Sequence, residues 1–232
     1  MNDLRLLVFD WDGTLMDSVG TIVACTQAVV RDLDLGDVPE DLIRGTIGLG
    51  LRETIEALVP GCDDALFSRI IESYRYHWHH TYRDHPVLFT GVAPMLRTFA
   101  DEGWLLAVAT GKSRRGLSYA IDQTGLRDLF HSTRTADEAF SKPHPQMLLE
   151  ILDDLGVRPG EAVMIGDTTF DLEMAKNAGT AGIGVCTGSH GREELQRFDP
   201  IACLERVVDL PGWLSDPASG VIARPEATIT RP

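Results

Sequence analysis

Lysine is nearly absent from this sequence. Only Lys112, Lys142 and Lys176 occur in 232 residues, and with thirty-five acidic residues the formal net charge is −14. A surface this acidic repels polyanions, which argues against nucleic acid and anionic membrane as general partners. An anionic small molecule is still admissible, because a bound cation and a few basic groups can invert the field inside a pocket. Cysteine is sparse too. Cys25, Cys62, Cys186 and Cys203 form no Cys-x-x-Cys pair and have no histidine at zinc-finger spacing, so free thiols in a reducing compartment are expected. Long apolar runs are missing, and no segment reaches the ~20 residues that a membrane-spanning helix needs. The N-terminus lacks the basic and then apolar pattern of a secretory signal. Together these absences predict a cytoplasmic protein.

Hydrophobic residues at 44% and charged residues at 24% are ordinary for a folded globular chain, and the length allows one core or a core with a smaller insert. The most informative stretch lies near the start, where Leu6–Phe9 runs apolar into Asp10-Trp11-Asp12-Gly13-Thr14-Leu15. A short apolar run bounded by turn residues fits a strand buried on both faces of a parallel sheet. In such sheets ligands bind at the carboxyl ends of the strands, and residues two apart point the same way. Asp10 and Asp12 are thus candidates for one pocket, where two like charges call for a shared proton or a cation such as Mg²⁺. Alternatively, the pair caps the following turn and helix.

From Ser18 to Arg83 the apolar spacing is helical, with helices expected near 19–33, 39–43, 50–59 and 63–83, separated by glycine-rich or Pro-Gly turns. From Gly91 helix and strand alternate. Helices are expected at 92–101, 113–123, 144–155, 169–178 and 192–198, and strands at 104–109, 130–135, 162–165 and 182–186. This predicts an α/β fold: a doubly wound, Rossmann-like parallel sheet core (1–15 and 89–210) with an inserted all-helical cap domain (16–88) and a C-terminal surface tail (211–232).

Three further strand ends carry chemistry. Thr110-Gly111-Lys112-Ser113 offers a hydroxyl and free amides at a helix start, where an anion is favoured. A Walker loop is excluded because Leu106 stands where it requires glycine. Lys142, in Ser141-Lys142-Pro143-His144-Pro145, is either a point charge for phosphate or a solvated surface lysine. In Gly166-Asp167-Thr168-Thr169-Phe170-Asp171, each acid is either near a metal or a helix cap.

In order along the chain, Asp10-x-Asp12-Gly13-Thr14, Thr110, Lys142-Pro143 and Gly166-Asp167-x-x-x-Asp171 resemble the four signature segments of the haloacid dehalogenase superfamily of phosphohydrolases. The helical insert is similar to that family's smaller cap. The resemblance spans about residues 4–190 and implies hydrolysis of a small phosphorylated substrate. Asp10 would be the nucleophile, and Asp12 would protonate the leaving oxygen and then activate water. Thr110 and the amide of Gly111 would hold phosphate oxygens, and Lys142 would neutralise charge. Mg²⁺ would be held by Asp10, Asp167 and the backbone carbonyl of Asp12, and Asp171 would orient Lys142 or the metal shell.

An acid at position 12 favours phosphate over dehalogenation chemistry, and the absence of lysine from 16–88 sets aside Schiff-base phosphonate hydrolysis. The nearest resemblance is to the phosphoglycolate phosphatase-like group. It makes Arg44 and Arg52, beside the Gly45–Arg52 turn, candidate clamps for a substrate carboxylate; the alternative is that both are solvated helix residues. A β-phosphoglucomutase-like phosphotransferase shares the core residues. A catalytically silent or receiver-like regulator is the alternative from another class, although a receiver has no counterpart of the helical insert. The cap is expected to hinge near 15–18 and 86–91. The oligomeric state is left open.

Overall fold

Leu6, Leu7, Val8 and Phe9 present only hydrocarbon side chains, and all four are fully buried. The computed structural model, which describes residues 3–82 and 87–223, places them at the centre of a six-stranded parallel sheet. In chain order, β1 (Asp3–Leu4), β2 (Leu6–Phe9) and the short β3 (Met16–Asp17) lead into helices α1 (Val19–Asp32), α2 (Glu40–Arg44), α3 (Leu51–Leu58) and α4 (Asp64–Tyr76). A π-helical turn, His77–Thr81, continues α4, and β4 (Val87–Leu88) then pairs antiparallel with β3. Regular alternation follows: α5 (Val92–Asp101), β5 (Leu105–Thr110), α6 (Arg114–Thr124), β6 (Ser132–Thr135), α7 (Gln146–Leu155) and β7 (Ala162–Gly166). Next come α8 (Thr169–Ala178), β8 (Ala181–Val185), α9 (Arg192–Gln196), β9 (Ala202–Leu204), α10 (Leu210–Ser215) and β10 (Ile222–Ala223).

The main sheet runs β6-β5-β2-β7-β8-β9. Because β5 and β7 flank β2 on opposite sides, the winding reverses there, and a crevice opens at the carboxyl ends of these three strands. Alternate side chains serve opposite layers. Leu7, Phe9, Leu106 and Val108 pack with residues of α5, α6 and α10, whereas Leu6, Val8, Ala107 and Met164 pack with α7 and α8. This is the doubly wound core that the apolar strand runs predict. Helices α6, α7 and α8 each end on a glycine in the left-handed region (Gly125, Gly156, Gly179), which stops the helix and turns the chain toward the next strand.

The inserted helices bury one face each. Val19 and Val23 of α1 meet Ile43 and Ile47, and further along the same helix Val29 meets Ile55 of α3 and Ile70 of α4. Ser18 precedes α1 as expected, but its hydroxyl makes no cap bond and serves another group.

Several expectations need correction. The segment read as a surface tail from 211 onward supplies most of α10, whose Leu214 is buried in the main core beside Leu210, and β10 pairs parallel with β1. Residues 224–232 lie outside the described residues, as does Pro86 of the expected hinge. Strand β9 was not expected, because three residues are too few to show alternation. β6 begins at Ser132 rather than at 130, since Arg127–Leu129 form a 3-10 turn and Phe130 packs edge-on against Trp11. Helix α7 begins at Gln146, after two prolines that have no amide hydrogen to donate.

Candidate active site

The end of β2 continues the sheet ladder through Asp10, whose amide donates to Ile165 O at 2.9 Å, and then turns sharply. Gly13 makes that turn at φ +79°, and a Cβ there would lie 2.4 Å from Asp167 Oδ2. Only glycine satisfies both the left-handed backbone and the close approach of the carboxylate. Thr14 then donates its hydroxyl to Asp167 Oδ1 at 2.8 Å, tying the β2 turn to the end of β7.

Lys142 is not on the surface. Its ammonium is fully buried, 2.8 Å from Asp10 Oδ1 and 2.6 Å from Asp171 Oδ1. Asp171 in turn caps α8, with Oδ2 accepting from the amide and the hydroxyl of Thr168. The two readings of Asp171 are therefore both met, one by each oxygen. Gly166 makes this possible, since a Cβ there would fall 2.2 Å from the Asp171 carboxyl carbon.

Asp10, Asp167 and Asp171 are buried and bring one carboxylate oxygen each within 4.8 Å of the others. Burial pushes the Asp10 carboxyl up to about 6, with Asp171 and Asp12 adding to the rise against the pull of Lys142. Asp167 is raised well above the usual carboxylate range, first by burial and then by Asp10 and Asp171, although the Ser189 amide and the Thr14 hydroxyl oppose it. Burial alone would lower Lys142, but Asp10 and Asp171 outweigh it and hold the ammonium charged.

Asp12 faces elsewhere. Its carboxylate accepts from Lys112 Nζ at 2.8 and 2.7 Å and from the Ser18 hydroxyl at 2.6 Å. Its side chain thus stands apart from the three-carboxylate group, while Asp171 supplies an oxygen that had been assigned only to support. With all four carboxyls ionised they face two ammonium groups, which leaves two negative charges unmatched; without a cation, burial first and this excess second raise Asp10 and Asp167. Asp10 Oδ1 has the Lys142 ammonium 2.8 Å away and no further polar partner among the described residues. Both facts fit a divalent cation held by hard oxygen donors.

Thr110 ends β5 fully buried, and Ser113 caps α6 by accepting from the Gly116 amide at 3.2 Å, which leaves Gly111 and Lys112 at the open mouth of the helix. Sequence reasoning considered Lys112 only as part of a rejected nucleotide loop and so missed its pairing with Asp12. It also missed the loop after β8, where the Ser189 amide donates to Asp167 Oδ2 at 2.8 Å and the Thr187 hydroxyl to Gly13 O at 2.8 Å. In that loop a Cβ at Gly188 would sit 1.8 Å from Asp167 Oδ2. The signal available was Thr187-Gly188-Ser189 just beyond an apolar strand end.

The turn Gly48–Gly50 of the helical insert lies directly on the core. A Cβ on Gly111 would meet Leu49 O at 2.4 Å, and the Gly50 amide donates to Ser141 Oγ at 2.7 Å. Trp78 of the insert places its ring 4.9 Å from Lys112 Nζ. The two arginines beside this turn are not brought to the site. Arg44 pairs with Glu40 one turn back along α2, and Arg52 points to Asp64 and over the Phe67 ring, with two-thirds of its side chain exposed. Each is held by a local partner, and neither lines the cavity of about 900 Å³ that opens onto Asp10, Asp12, Thr110 and Gly111.

The family model for haloacid dehalogenase-like hydrolases matches residues 7–185. Among curated proteins, the probable phosphatase IndB of Dickeya dadantii is 33% identical over 89% of this chain and 92% of its own length. Pyrophosphatase PpaX of Anoxybacillus flavithermus is 30% identical over 90% and 95%, and a phosphoglycolate phosphatase of Psychrobacter arcticus is 28% identical over 91% and 96%. A solved structure of a haloacid dehalogenase-like hydrolase from Bacteroides fragilis superposes with a TM-score of 0.82 at 25% identity, covering 90% of this chain and all of that one. With the match running from β2 through β8, and with relatives aligned along nearly their whole length, this chain belongs to the haloacid dehalogenase-like hydrolases.

Proposed function

We propose that this hydrolase is a Mg²⁺-dependent phosphatase that cleaves a small-molecule phosphate monoester through an aspartyl phosphate. The observation that carries the reading is the charge balance: the buried carboxyl of Asp10 shares its pocket with Lys142, Asp167 and Asp171, and with all three carboxyls ionised two negative charges are left for a divalent cation. Asp10, Asp167 and the Asp12 backbone carbonyl would hold Mg²⁺, with Asp171 close by. When bound, the ion supplies Lewis-acid neutralisation of the phosphoryl oxygens and of the carboxylate group.

The chain's own residues account for the rest. A carboxylate oxygen of Asp10 attacks phosphorus, the bond from phosphorus to the leaving oxygen breaks, and that oxygen takes a proton from Asp12. Water then attacks the aspartyl phosphate while Asp12 accepts its proton, the phosphorus–Asp10 bond breaks, and inorganic phosphate leaves. Thr110 and the Gly111 amide orient the phosphoryl group at the α6 N-terminus, and Lys142 offsets its charge.

Several relatives are named as phosphatases, pyrophosphatases or phosphoglycolate phosphatases, which supports the reaction class. Phosphoglycolate draws its support from those relatives alone, because the arginines that would meet its carboxylate lie outside the cavity. The test is turnover of p-nitrophenyl phosphate with Mg²⁺ and with excess chelator. Hydrolysis that survives complete chelation contradicts the metal assignment, and a requirement for a bisphosphorylated sugar would move the protein to the phosphomutases.

A further inference from the structure

The cavity above Asp10 is much larger and much less polar than a phosphoryl group needs. It extends from the carboxylates into the helical insert, where it is walled by Ile22 and Val29 of α1, Ile55 and Leu58 of α3, and Ile70 and Tyr74 of α4. These six come from three helices, and Val29, Ile55 and Ile70 are buried side chains of the insert's own core. Of the basic groups along its wall, Arg75, His80 and Arg115 are exposed, His79 is half-buried and pushed toward its neutral form first by burial, and Lys112 is committed to Asp12. A doubly charged small acid would therefore place its second charge against hydrocarbon, which costs several kcal/mol without a partner.

We infer that the alcohol part of the natural substrate is an uncharged, predominantly apolar group of about ten or more non-hydrogen atoms, seated between α1, α3 and α4 with its phosphoryl group at Asp10. This rests on the phosphatase reading above and adds the class of leaving group to it. The cavity volume, about 900 Å³, is that of sites that enclose whole drug-sized ligands. Continuity with Asp10, Asp12 and Thr110 makes the occupant the substrate, because anything filling the apolar part projects its polar end at the carboxylates. Tyr74 also lines this space, its hydroxyl raised well above the usual range first by burial, and is a phenol at hand as a polar partner for an otherwise greasy ligand.

The experiment is a ladder of substrates on the wild-type protein with Mg²⁺: ethyl, butyl, hexyl and octyl phosphate, 1-naphthyl phosphate, phosphoglycolate and pyrophosphate. Each methylene that enters an apolar wall is expected to raise kcat/KM by about two- to fourfold until the space is filled, placing octyl phosphate, six methylenes longer, at least about 60-fold above ethyl phosphate, with octyl and naphthyl phosphate both above phosphoglycolate. Val29→Phe, which narrows the cavity away from the carboxylates, is expected to shrink the octyl-to-ethyl ratio by tenfold or more. Binding of octyl phosphate to Asp10→Asn by calorimetry, with a negative heat-capacity change, gives the same answer without turnover. A flat ladder, or phosphoglycolate or pyrophosphate ranked above the long chains, overturns the inference while leaving the phosphatase reading intact. No turnover of any rung, with octyl phosphate still bound by Asp10→Asn, overturns the phosphatase reading instead.

Discussion

Lys112 grips both carboxylate oxygens of Asp12, at 2.8 and 2.7 Å, from the end of a neighbouring strand. The Ser18 hydroxyl fixes the same carboxylate from the other side, and the Trp78 ring covers the ammonium. The acid proposed to handle protons is thereby positioned by a residue that also touches the helical insert. Lys112→Met keeps length and removes charge, and we expect kcat to fall about tenfold, a share of the ~10²–10⁴ that a positioned acid–base group contributes. Steady-state kinetics check this, and Lys112→Arg should recover part of the loss. An unchanged kcat in Lys112→Met would reduce the pair to packing.

Separation of the two aspartates is testable by mass. Asp10→Asn should abolish turnover and never carry phosphate. Asp12→Asn should still be phosphorylated by a substrate with a good leaving group, such as p-nitrophenyl phosphate, and then release phosphate slowly, because no group activates the water. Intact-mass spectrometry after rapid acid quench reads both, and a phosphorylated Asp10→Asn protein would remove Asp10 from its role.

Cation binding should appear in thermal stability, with a defined pH dependence. The Asp10 carboxyl rises from 3.8 to about 6 on folding, mainly through burial. A group with a raised folded pKa favours the fold while protonated; this contribution is complete below 3.8 and is lost as pH climbs through about 6. Asp167 shifts in the same direction. The cation-free protein therefore gives up this stability between about pH 4 and 6. Mg²⁺ at 100 times its Kd should add ~2.7 kcal/mol at pH 7, roughly 5–10 °C in Tm for a chain of this size. Calorimetry should show that increment shrinking toward pH 4, where protons compete for the same oxygens. A Tm increment independent of pH would place the ion elsewhere.

The two arginines proposed from the sequence give a prediction of the opposite kind. Arg44 and Arg52 sit in exposed ion pairs with Glu40 and Asp64, contacts worth ~0–1 kcal/mol at a surface. Arg44→Ala and Arg52→Ala should each change kcat/KM by less than about twofold for every phosphate ester tested, since 0.4 kcal/mol is all that such a ratio needs. A tenfold loss selective for phosphoglycolate would restore them as a clamp.

The contrast between these arginines and the core motifs shows what a sequence makes legible. Asp10, Thr110 and Asp167 each follow an uninterrupted apolar strand, and a parallel sheet must place such residues along one edge. Their meeting follows from local pattern and topology. Lys142 and Asp171 come from a loop and a helix turn, where local pattern left each with two readings and the resemblance to a family gave each a role before geometry did. Lys112 was visible only within a rejected nucleotide loop and as one lysine among three, because its partner is 100 positions away and nothing local marks the pair. The direction of Arg52 depends on where α4 lies, which no spacing within α3 contains. The α10 segment was misread for a related reason: prolines at 211 and 217 look like a tail, whereas Leu210 and Leu214 are drawn into the core by tertiary burial.

Contact between the helical insert and the core rests on a backbone approach that one methyl group can break. Gly111 has no side chain, and a Cβ there would lie 2.4 Å from Leu49 O and 2.6 Å from Gly48 O, both backbone atoms that cannot swing aside. Gly111→Ala keeps the amide proposed to hold phosphate and leaves the strand and helix on either side unchanged. The insert must therefore back away by about an ångström, and misplacement on that scale costs on the order of 10²-fold in rate. We expect kcat/KM to fall by tenfold to a hundredfold while Tm moves by only a few degrees, since the sheet core is untouched. We also expect a greater loss for esters with bulky leaving groups, which depend on the insert for most of their contact. Replacing Gly91 by Ala, where the nearest core atom is a Val208 methyl at 3.3 Å and the backbone is left-handed, controls for strain away from the site: it should lower Tm without altering substrate ranking. If Gly111→Ala turns over small and bulky esters at the wild-type rates, the insert does not need to rest on Gly111 for the reaction, and closure of the site must be sought in the Gly50 amide bond to Ser141 instead.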